Sequence, residues 1–332
     1  MRLALDAMGG DLGPGPAVAG ARLALDSAPD LALVLVGDRA RVEPHLGDAP
    51  RDRIEFFHCT QSVDMKEKPV EALRKKPDAS IFRAWQLMAE GQVEGVISAG
   101  NTGAIVAGGL RLKRFLKCVH RPGIATVMPT AKGRSVILDV GANIFPKPRH
   151  LLEYGVMGSV FARHMLDCER PTIGLMNVGE EDGKGNELVQ QTYDLFRNGP
   201  LREQFIGNIE GRDIHRGVAD VIVTDGFTGN VVLKLSEGVF EFVMSMVKQE
   251  VIGALDGERD KAAAAVKGLL GRYHYSAFGG APLLGIDGVC IICHGSSNER
   301  AIANALAVAA QDVRIRLNEK IVDELESLPP ET

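Results

Sequence analysis

The chain has 332 residues, of which 45% are hydrophobic and 24% charged, and these proportions are ordinary for a soluble globular enzyme. Its length allows two domains or one large α/β domain. The net charge of −5 argues against general nucleic-acid binding, and no apolar run is long enough to span a bilayer. Five scattered cysteines, together with an apolar start that Asp6 interrupts, predict a cytoplasmic protein without a signal peptide.

Apolar runs and amphipathic segments alternate along the first third of the chain, which predicts strands and helices in turn. The spacing is typical of strands that lie parallel in one sheet, with helices in the connections. The predicted strands cover Arg2–Asp6, Leu31–Val36, Ile54–His58 and Gly95–Ser98. The predicted helices cover Pro16–Leu25, Pro69–Lys76, Ser80–Glu90 and Ala104–Phe115.

The same alternation continues to the end of the chain. A short polar turn between Ala125–Met128 and Ser135–Asp139 predicts a β-hairpin. We therefore predict an α/β fold with a doubly wound, mostly parallel sheet, built as one large catalytic domain over residues 1–332 with a protruding helical hairpin at about 231–275. The remaining strands are predicted over Thr172–Met176, Gln204–Ile209, Val221–Val223 and Gly288–Cys293, and the helices over Pro148–Leu166, Glu187–Phe196, Val231–Leu255, Ala262–Leu270 and Glu299–Leu317.

Six polar turns that contain glycine follow predicted strands. In an open α/β sheet, ligands bind beyond the carboxyl ends of the strands. We therefore expect all six turns on one rim, where their polar side chains would line a large cleft. Asp6 and Asp225 are predicted to orient their turns by accepting backbone N–H bonds. The turns span Asp6–Asp11, Ser98–Gly103, Asp139–Asn143, Asn177–Asn186, Thr224–Asn230 and His294–Asn298.

The stretch 221–234 has the pattern of a buried strand, a glycine turn and the start of a helix. Such an arrangement builds an anion site, because free backbone N–H groups and the positive end of the helix dipole face the turn. Gly226 and Gly229 permit close backbone approach, while Thr228 and Asn230 add short polar groups. A simple strand–helix connection capped by asparagine fits the same residues.

Lys184 lies between two glycines in a turn that enters a predicted helix. A lysine in this position can hold a phosphate oxygen as a compact cation. The alternative is a solvated loop lysine, with or without an ion pair to Glu180, Glu181 or Asp182. Both interpretations fit the sequence.

Familiar cofactor and metal motifs are missing. No G-x-G-x-x-G follows a strand, the phosphate-loop pattern fails at Val178 and Gly185, and no serine nucleophile elbow is present. Cys290 and Cys293 have metal-like spacing, but they lie in an apolar strand without a second ligand pair. We predict that they are buried core cysteines. No residue is assigned to a cofactor or a metal.

Several motifs, in their order along the chain, resemble one family. Over about residues 1–315 the chain resembles the bacterial phosphate acyltransferases of phospholipid synthesis. Leu12 stands where many members have His, and Ile144-Phe145 stand where a polar pair is common, which weakens any role for those positions. The motifs are Leu5–Asp11, Ser98–Ala104, Leu138–Asn143, Asn177–Glu187, Gly207–Asp213 and Asp225–Asn230.

The resemblance implies that a fatty acyl group passes from acyl-[acyl-carrier-protein] to inorganic phosphate. The acyl phosphate would then feed a glycerol-3-phosphate acyltransferase downstream. The expected partners are acyl carrier protein, inorganic phosphate and a second copy of the chain in a homodimer, with no cofactor and no nucleic acid. The resemblance also implies peripheral contact with the inner face of the membrane, and a fold similar to isocitrate and isopropylmalate dehydrogenases and to phosphotransacetylases.

The catalytic Lys and Asn of the family fall on Lys184 and Asn230. We assign Lys184 to phosphate binding and charge neutralisation. Asn230, together with the N–H groups of the Gly226–Gly229 turn, is expected to hold phosphate or the developing oxyanion. Further candidates to bind substrate along the cleft are Asn101, Thr102, Gly103, Asn143 and Thr228.

Two surface features extend this hypothesis to partners. A basic face at the end of the helix after residue 103 would dock the acidic carrier, although a solvated helix end favoured by the dipole fits as well. An amphipathic tip around Leu269 would rest on lipid, with dimer packing as the alternative. The basic residues are Arg111, Lys113, Arg114 and Lys117, and the tip comprises Leu255, Lys261, Val266, Lys267, Leu269, Leu270, Arg272 and Tyr273.

Two other classes of function compete with this hypothesis. A metal- and nicotinamide-dependent decarboxylating dehydrogenase on the same fold would need clustered Asp ligands and a set of arginines for a substrate with several carboxylates, and neither is seen. A non-catalytic scaffold that binds the carrier or the membrane is disfavoured by the density of polar glycine turns. A nicotinamide absorbance assay and phosphate-dependent thioester loss separate the three.

Overall fold

The computed structural model describes residues 1–112, 114–253, 255, 257–273 and 279–328, with the side chains of 270–273 outside that description. The strands are β1 (Arg2–Asp6), β2 (Ala32–Gly37), β3 (Ile54–His58), β4 (Gly95–Ser98), β5 (Gly123–Thr130), β6 (Gly133–Leu138), β7 (Ile173–Met176), β8 (Phe205–Ile209), β9 (Val221–Val223), β10 (Ala281–Leu284) and β11 (Val289–Ile292). The helices are α1 (Pro14–Ser27), α2 (Arg39–Val42), α3 (Pro69–Lys75), α4 (Ser80–Ala89), α5 (Thr102–Leu112), α6 (Pro148–Met165), α7 (Glu187–Asn198), α8 (Gly211–Ile214), α9 (Gly226–Met246), α10 (Arg259–Tyr273), α11 (Glu299–Ile315) and α12 (Leu317–Glu326).

The predicted elements are present, and two shifted helix starts bear on function. α5 begins at Thr102 rather than Ala104, and α9 begins at Gly226 rather than Val231. In both cases a polar side chain just before the helix accepts its first free N–H groups, Asn101 for α5 and Asp225 for α9. Such caps favour an earlier helix start. The glycines that we expected in open turns therefore lie inside the first helical turns.

Four elements were not predicted: the four-residue helices α2 and α8, the strand β10 and the helix α12. β10 is short and contains Pro282, which cannot donate to a ladder and hides a strand from pattern reading. α12 follows α11 after Arg316, whose φ of 56° is left-handed and ends the predicted last helix. β10 completes the middle of the sheet, and α12 completes one of its covering layers.

The described residues form one 11-stranded sheet in the order β3-β2-β1-β4-β11-β10-β5-β6-β9-β7-β8. Neighbours are parallel from β3 to β11 and again from β6 to β8. Between these two blocks, β10 is antiparallel to both β11 and β5, and β5 is antiparallel to β6. The α/β class, the mostly parallel sheet and the β5–β6 hairpin are confirmed, while the sheet as a whole is mixed.

The antiparallel strands reverse the direction of the sheet between its blocks. The end of β11 pairs with Ala281 at the start of β10, whereas Leu284 at the end of β10 pairs with Gly123 at the start of β5. Leu138, the last residue of β6, pairs with Ala125 near that start. The carboxyl ends of β1, β4 and β11 therefore lie at one edge, here called edge A, and those of β6, β7 and β9 at the opposite edge, edge B. The prediction that all six turns share one rim is wrong.

Helices cover both faces of the sheet, as alternate strand residues show. Along β1, Leu3 and Leu5 are buried with α1 and α11, while Ala4 is buried with α4 and α5. Along β6, Leu138 is buried with α6 and α12, while Ile137 joins the cluster on the other face. Because side chains alternate along a strand, each sheet block has a helical layer on either side.

Most of α9 is exposed, and Gly226 and Gly229 are its buried residues. Residues 254, 256 and 274–278 lie outside the described part of the chain, so the protruding hairpin at 231–275 stays a prediction. None of the described helices is both long and apolar enough to cross a membrane. An exposed apolar row, here called the α9 stripe, comprises Phe227, Val231, Leu235, Val239, Phe242, Val243 and Met246.

Candidate active site

Edge B is built from three loops that follow adjacent strands. β6 and β7 are the two neighbours of β9, so the loops after them flank the start of α9. The loop after β6 carries Asn143, the loop after β7 carries Lys184, and the first turn and a half of α9 carries Asn230. The topology thus places Lys184, Asn143 and Asn230 at the same edge.

Asp139 is fully buried and organises the first of these loops. Its Oδ1 accepts N–H bonds from Ile124, Gly141 and Ala142 at 2.9, 3.0 and 2.9 Å, and its Oδ2 accepts the N–H of Asn143 at 2.7 Å. Burial raises the pKa of Asp139, and the donated hydrogen bonds act in the opposite direction. The carboxyl group is saturated by the protein and holds the loop in shape.

Asn143 joins four parts of the structure. Its amide donates to the carbonyl oxygen of Pro122 at 2.6 Å and to the hydroxyl of Tyr154 at 2.8 Å. Its own carbonyl oxygen accepts the N–H of Gly226 at 2.8 Å. These bonds tie the loop to the entry of β5, to α6 and to α9. Because its amide already has protein partners, substrate binding by Asn143 stays a prediction.

The start of α9 is capped by Asp225. Its Oδ1 accepts the N–H groups of Phe227 and Thr228, both at 2.9 Å, and its Oδ2 accepts the Thr228 hydroxyl at 2.7 Å. The N–H of Gly229 donates to the carbonyl of Asp225 at 2.9 Å, and that of Gly226 donates to the first loop. The role of Asp225 in orienting the turn is confirmed. The expectation of free N–H groups between Gly226 and Gly229 is wrong, because the cap and the helix use them.

Both glycines are required by the approach of α9 to the first loop. A Cβ atom at Gly229 would lie 2.0 Å from the carbonyl oxygen of Asp139, and one at Gly226 would lie 2.7 Å from the carbonyl oxygen of Asn143. No real side chain tolerates such distances. The close backbone approach predicted from these glycines is confirmed, and it brings the beginning of α9 directly against Asp139.

Asn230 is exposed and lies just beyond the first turn of α9, not at the cap as predicted. The nearest atoms to a Cβ placed on Gly141 are those of the Asn230 side chain, at 3.9 Å. Within the described part of the chain its amide makes no hydrogen bond. Asn230 therefore presents a polar donor and acceptor over the Asp139 loop.

The loop at 177–186 leaves the ammonium group of Lys184 exposed. Asp182 pairs with Arg197 at 2.6 Å, and Glu180 pairs with Arg212 at 3.8 Å. These acids are therefore not partners of Lys184, and no ion pair of Lys184 occurs among the described residues. The paired form of the loop-lysine alternative is not seen, and the assignment of Lys184 to phosphate stays a prediction.

Asn101 at edge A has every polar atom of its amide engaged. Its Nδ2 donates to the carbonyl oxygens of Asp64, Met65 and Glu67 at 3.3, 3.0 and 3.0 Å. Its Oδ1 accepts the N–H of Ala104 at 3.0 Å. Asn101 therefore caps α5 and fastens a neighbouring loop. Thr102 and Gly103 begin α5 at the same edge, so the structure does not bring these three predicted site residues together with those of edge B.

The other turns of edge A are closely packed around Asp6. This buried carboxylate accepts N–H bonds from Met8 and Gly9 at 3.1 Å and the hydroxyl of Ser98 at 2.7 Å, which confirms its predicted role. Burial raises its pKa, while the donated bonds lower it. The cavity between Asp6, Gly10 and the last turn has a volume of about 10 Å³, the room that a single water needs.

Sequence reasoning missed a polar group beside the Asp139 loop, formed by Tyr154, Glu153 and His120. Glu153 is fully buried in α6 and lies 2.6 Å from Nδ1 of His120. The available signal was a glutamate within the otherwise apolar run 151–158, because glutamate is almost never fully buried without a partner. Tyr154 follows directly and bonds to Asn143.

The remaining sequence predictions have separate outcomes. Cys290 and Cys293 are buried, and burial raises the pKa of Cys293 to about 12, so the core assignment is confirmed. In the basic face, Arg114 pairs with Asp287 and Lys117 with Glu326, each at 2.6 Å. Lys113 lies outside the described residues. Among the residues described, no group of three or more His, Cys, Asp or Glu side chains is placed to hold a metal ion.

Comparisons with known proteins agree along nearly the whole chain. A family model described as a fatty acid synthesis protein matches residues 1–320. The phosphate acyltransferase of Heliobacterium modesticaldum is 47% identical over 326 residues, covering 95% of this chain and 94% of that protein. That of Nitratidesulfovibrio vulgaris is 44% identical over 326 residues, covering 96% of this chain and 93% of that protein.

Solved structures agree on the fold. A phosphotransacetylase from Streptococcus pyogenes superposes with a TM-score of 0.64 at 17% identity, covering 95% of this chain and 94% of that one. A branched-chain phosphotransacylase from Enterococcus faecalis superposes with a TM-score of 0.57 at 15% identity, covering 94% of this chain and 99% of that one. The likeness to phosphotransacetylases is thereby confirmed, and that to the dehydrogenases stays a prediction. On the sequence matches to its relatives, the chain belongs to the phosphate acyltransferase family and is an acyltransferase.

Proposed function

We propose that this protein transfers a fatty acyl group from acyl carrier protein to inorganic phosphate and so supplies acyl phosphate for phospholipid synthesis. Family membership supports acyl transfer to phosphate. The observation that carries the proposal is the exposed ammonium of Lys184 on the loop beside Asn230, with neither group engaged elsewhere in the described residues. A cation and an amide donor at one edge suit an anionic substrate and a developing oxyanion.

The reaction requires a phosphate oxygen to attack the thioester carbonyl carbon. A tetrahedral oxyanion forms, the carbon–sulfur bond then breaks, and the carrier leaves as a thiolate that takes a proton from solvent. Phosphate is already nucleophilic as an anion, so no covalent intermediate on the enzyme is needed. The protein has to align two reactants and offset their negative charge. Lys184 is assigned to that neutralisation.

Asn230 is assigned to the oxyanion or to a phosphate oxygen. The N–H groups from Gly226 to Gly229 donate to the protein, so a side-chain amide has to supply the hydrogen bond at this end of α9. Removal of one such donor commonly costs about 100- to 1000-fold in turnover. In a site with free backbone N–H groups, those groups would share this task. Here the task is assigned to the Asn230 amide alone.

An apolar cavity along α9 supports a fatty acyl substrate. Its volume is about 380 Å³, and its lining includes Met128, Leu233 and Phe240. Phe240 lies ten residues after Asn230, or about 15 Å along a helix that rises 1.5 Å per residue. An acyl chain whose carbonyl lies at edge B can extend along α9 to this cavity.

The deciding experiment measures acyl phosphate formation by the purified protein from acylated carrier protein and inorganic phosphate, without added metal or nucleotide. We expect phosphate-dependent loss of the thioester and one acyl phosphate for each carrier released. Thioester loss that does not need phosphate would contradict transfer to phosphate. Turnover only with a nicotinamide cofactor would instead point to the dehydrogenase class.

Homodimer formation and peripheral membrane contact are also part of the proposal. The α9 stripe is a long exposed apolar row, and burying such a row against a second copy is favourable. Leu269 in α10 is 38% exposed and represents the predicted tip. Leu269→Glu should abolish co-sedimentation with anionic liposomes while analytical ultracentrifugation still finds the dimer. A dissociated dimer would favour the packing alternative for this residue.

A further inference from the structure

We propose that Arg121 is a phosphate-binding residue of edge B, an inference that rests on the proposed transfer of acyl groups to phosphate. Arg121 is exposed and lies in the segment that leads from α5 into β5. Its guanidinium makes no hydrogen bond or ion pair with any other described residue. Two other arginines at this edge, Arg149 and Arg212, pair with Glu153 and Glu180, in contrast to Arg121.

The residue before Arg121 is fixed by a buried acid. The backbone N–H of His120 donates to Oε2 of Glu153 at 3.0 Å, and Nδ1 of His120 lies 2.6 Å from Oε1 of the same carboxylate. Arg149 approaches Oε1 at 3.4 Å and adds a second positive partner. Two contacts from one residue to a fully buried group hold both the backbone and the ring of His120.

The residue after Arg121 is fixed by the candidate active site itself. The carbonyl oxygen of Pro122 accepts the Asn143 amide at 2.6 Å. Gly123 then begins β5, and a Cβ there would lie 2.9 Å from Leu138 and 3.1 Å from the ring of Tyr154. Arg121 therefore extends from a segment whose backbone is restrained on both sides, which reduces the entropy lost when its side chain binds a ligand.

Tyr154 connects the segment of Arg121 to the Asp139 loop. Burial raises the pKa of the Tyr154 phenol above its usual range, and the positive charge of Arg121 acts to lower it. That phenol accepts a hydrogen bond from Asn143 at 2.8 Å. Asn143 and Tyr154 hold the Asp139 loop, against which the start of α9 is packed through Gly229.

Arginine is suited to this ligand by geometry as well as by charge. Its planar guanidinium presents paired N–H donors that match two oxygens of a phosphate, whereas lysine offers a compact point charge. We assign Arg121 to fixing the orientation of phosphate and Lys184 to neutralising its charge during attack. Two cations at edge B also offset the repulsion between phosphate and the thioester oxyanion.

The test compares initial rates of Arg121→Ala with those of the wild type while inorganic phosphate and acylated carrier are varied in turn. We expect the KM for phosphate to rise about 10- to 100-fold, the loss typical of a hydrogen bond to a charged group, with the KM for the carrier unchanged. Arg121→Lys should recover part of the loss. Arg170→Ala is the matched control, because Arg170 is exposed before β7, at the amino ends of the edge B strands.

The contrary results are equally specific. An unchanged phosphate KM in Arg121→Ala, a rise in the carrier KM alone, or the same change in Arg170→Ala would overturn the assignment. A direct measurement keeps it apart from the proposed function. Inorganic phosphate should raise the Tm of the wild type and of Arg170→Ala but not that of Arg121→Ala. That outcome without acyl phosphate formation would reject the proposed reaction and retain Arg121 as an anion ligand.

His120 enters as a positioning residue. His120→Ala removes the ring contact to Glu153 and should raise the phosphate KM less than Arg121→Ala does, with kcat and the carrier KM unchanged. A purely structural role would lower Tm without that selective rise. If phosphate KM stays at the wild-type value in His120→Ala while Arg121→Ala raises it, the restraint on the segment does not contribute to binding.

Discussion

At edge A the buried carboxylate of Asp6 accepts the N–H groups of its own turn, and at edge B the buried carboxylate of Asp139 does the same. At both edges a glycine permits close backbone approach to the turn: a Cβ atom on Gly9 would lie 2.7 Å from the backbone nitrogen of Gly100, and one on Gly229 would lie 2.0 Å from the carbonyl oxygen of Asp139. The two edges nevertheless differ in the polar side chains that remain without a partner in the protein. At edge A the amide of Asn101 is fully engaged and the cavity holds about 10 Å³.

At edge B three polar side chains remain available. Lys184, Asn230 and Arg121 are exposed and have no partner among the described residues. The comparison shows that a polar glycine turn after a strand builds a tight loop. The Asp and Asn side chains of such a turn mostly form hydrogen bonds within the protein and are not left for a ligand. Chemistry becomes available where cations and amides project beyond the saturated turn.

The largest effect is expected for Lys184→Ala. If the ammonium offsets charge in the transition state, kcat and kcat/KM should fall together by about 100- to 1000-fold. Tm should change little, because an exposed loop side chain contributes on the order of 1 kcal/mol or less. Steady-state rates at saturating phosphate measure this effect, and wild-type turnover there with an intact fold would remove Lys184 from the active site.

Asn230→Ala should reduce kcat by about 100-fold, because no backbone N–H of the first α9 turn is free to replace its amide. Asn230→Asp is an informative companion, since it keeps the size but adds a negative charge beside the anion. It should lower the rate further than alanine does. Equal rates for wild type and Asn230→Ala would mean that the oxyanion is stabilised by other groups.

Asp312 is a buried carboxyl group that can be compared with those of Asp6 and Asp139. Asp312 in α11 is buried, and no donor among the described residues contacts its carboxyl, in contrast to Asp6 and Asp139. Burial raises the pKa of Asp312 to about 7 from its usual 3.8. The folded state therefore holds this proton more tightly than the unfolded state, so stability falls as pH rises from about 4 through 7.

Asp312→Asn should remove that dependence. The pKa shift of Asp312 limits the gain in unfolding free energy to roughly 4 kcal/mol. Because the structure relaxes around the charge, we expect a gain on the order of 2 kcal/mol at pH 8. Urea unfolding at pH 4.5 and pH 8 measures it, with the difference between variant and wild type appearing at the higher pH. A variant that is no more stable than wild type at pH 8 would show that the Asp312 carboxylate is solvated or paired.

Asn101→Ala tests the role given to edge A. It removes the α5 cap and the bonds to the loop at 64–67, which should cost about 1–2 kcal/mol of unfolding free energy. kcat and the phosphate KM of the folded fraction should equal the wild-type values. A kinetic defect as large as that of Lys184→Ala, without loss of Tm, would bring edge A into the active site.

The smallest effect is expected for Arg114→Glu, which tests carrier docking on the basic face. Arg114 already pairs with Asp287 at 2.6 Å, so little of its charge is left for a partner. We expect a rise of about 2- to 5-fold in the carrier KM, the scale of an exposed charge pair, and no change in the phosphate KM. Lys132→Glu, on the turn between β5 and β6, is the matched control for added negative charge.

The sequence alone determined most of the elements of this protein and most of its local chemistry. Alternating apolar patterns predicted the strands and helices, and the structural tasks of Asp6 and Asp225 followed from short-range turn chemistry. The close approach at Gly226 and Gly229 was also predictable, because it depends on residues that have no side chain to interfere. Lys184 and Asn230 were singled out by residue type and by a family resemblance.

Only the tertiary structure decided which turns lie together. The direction of each sheet block depends on the pairing of β10 with β5, whose residues Leu284 and Gly123 are far apart in the chain. No local pattern encodes that pairing, so six turns expected at one rim divide between two opposite edges. The tertiary structure also decides whether an Asn or Arg side chain is free to bind a ligand, because its partners come from distant segments, as with Glu153, Pro122 and Asn143. A hydrogen bond between distant segments leaves no periodic pattern in the sequence.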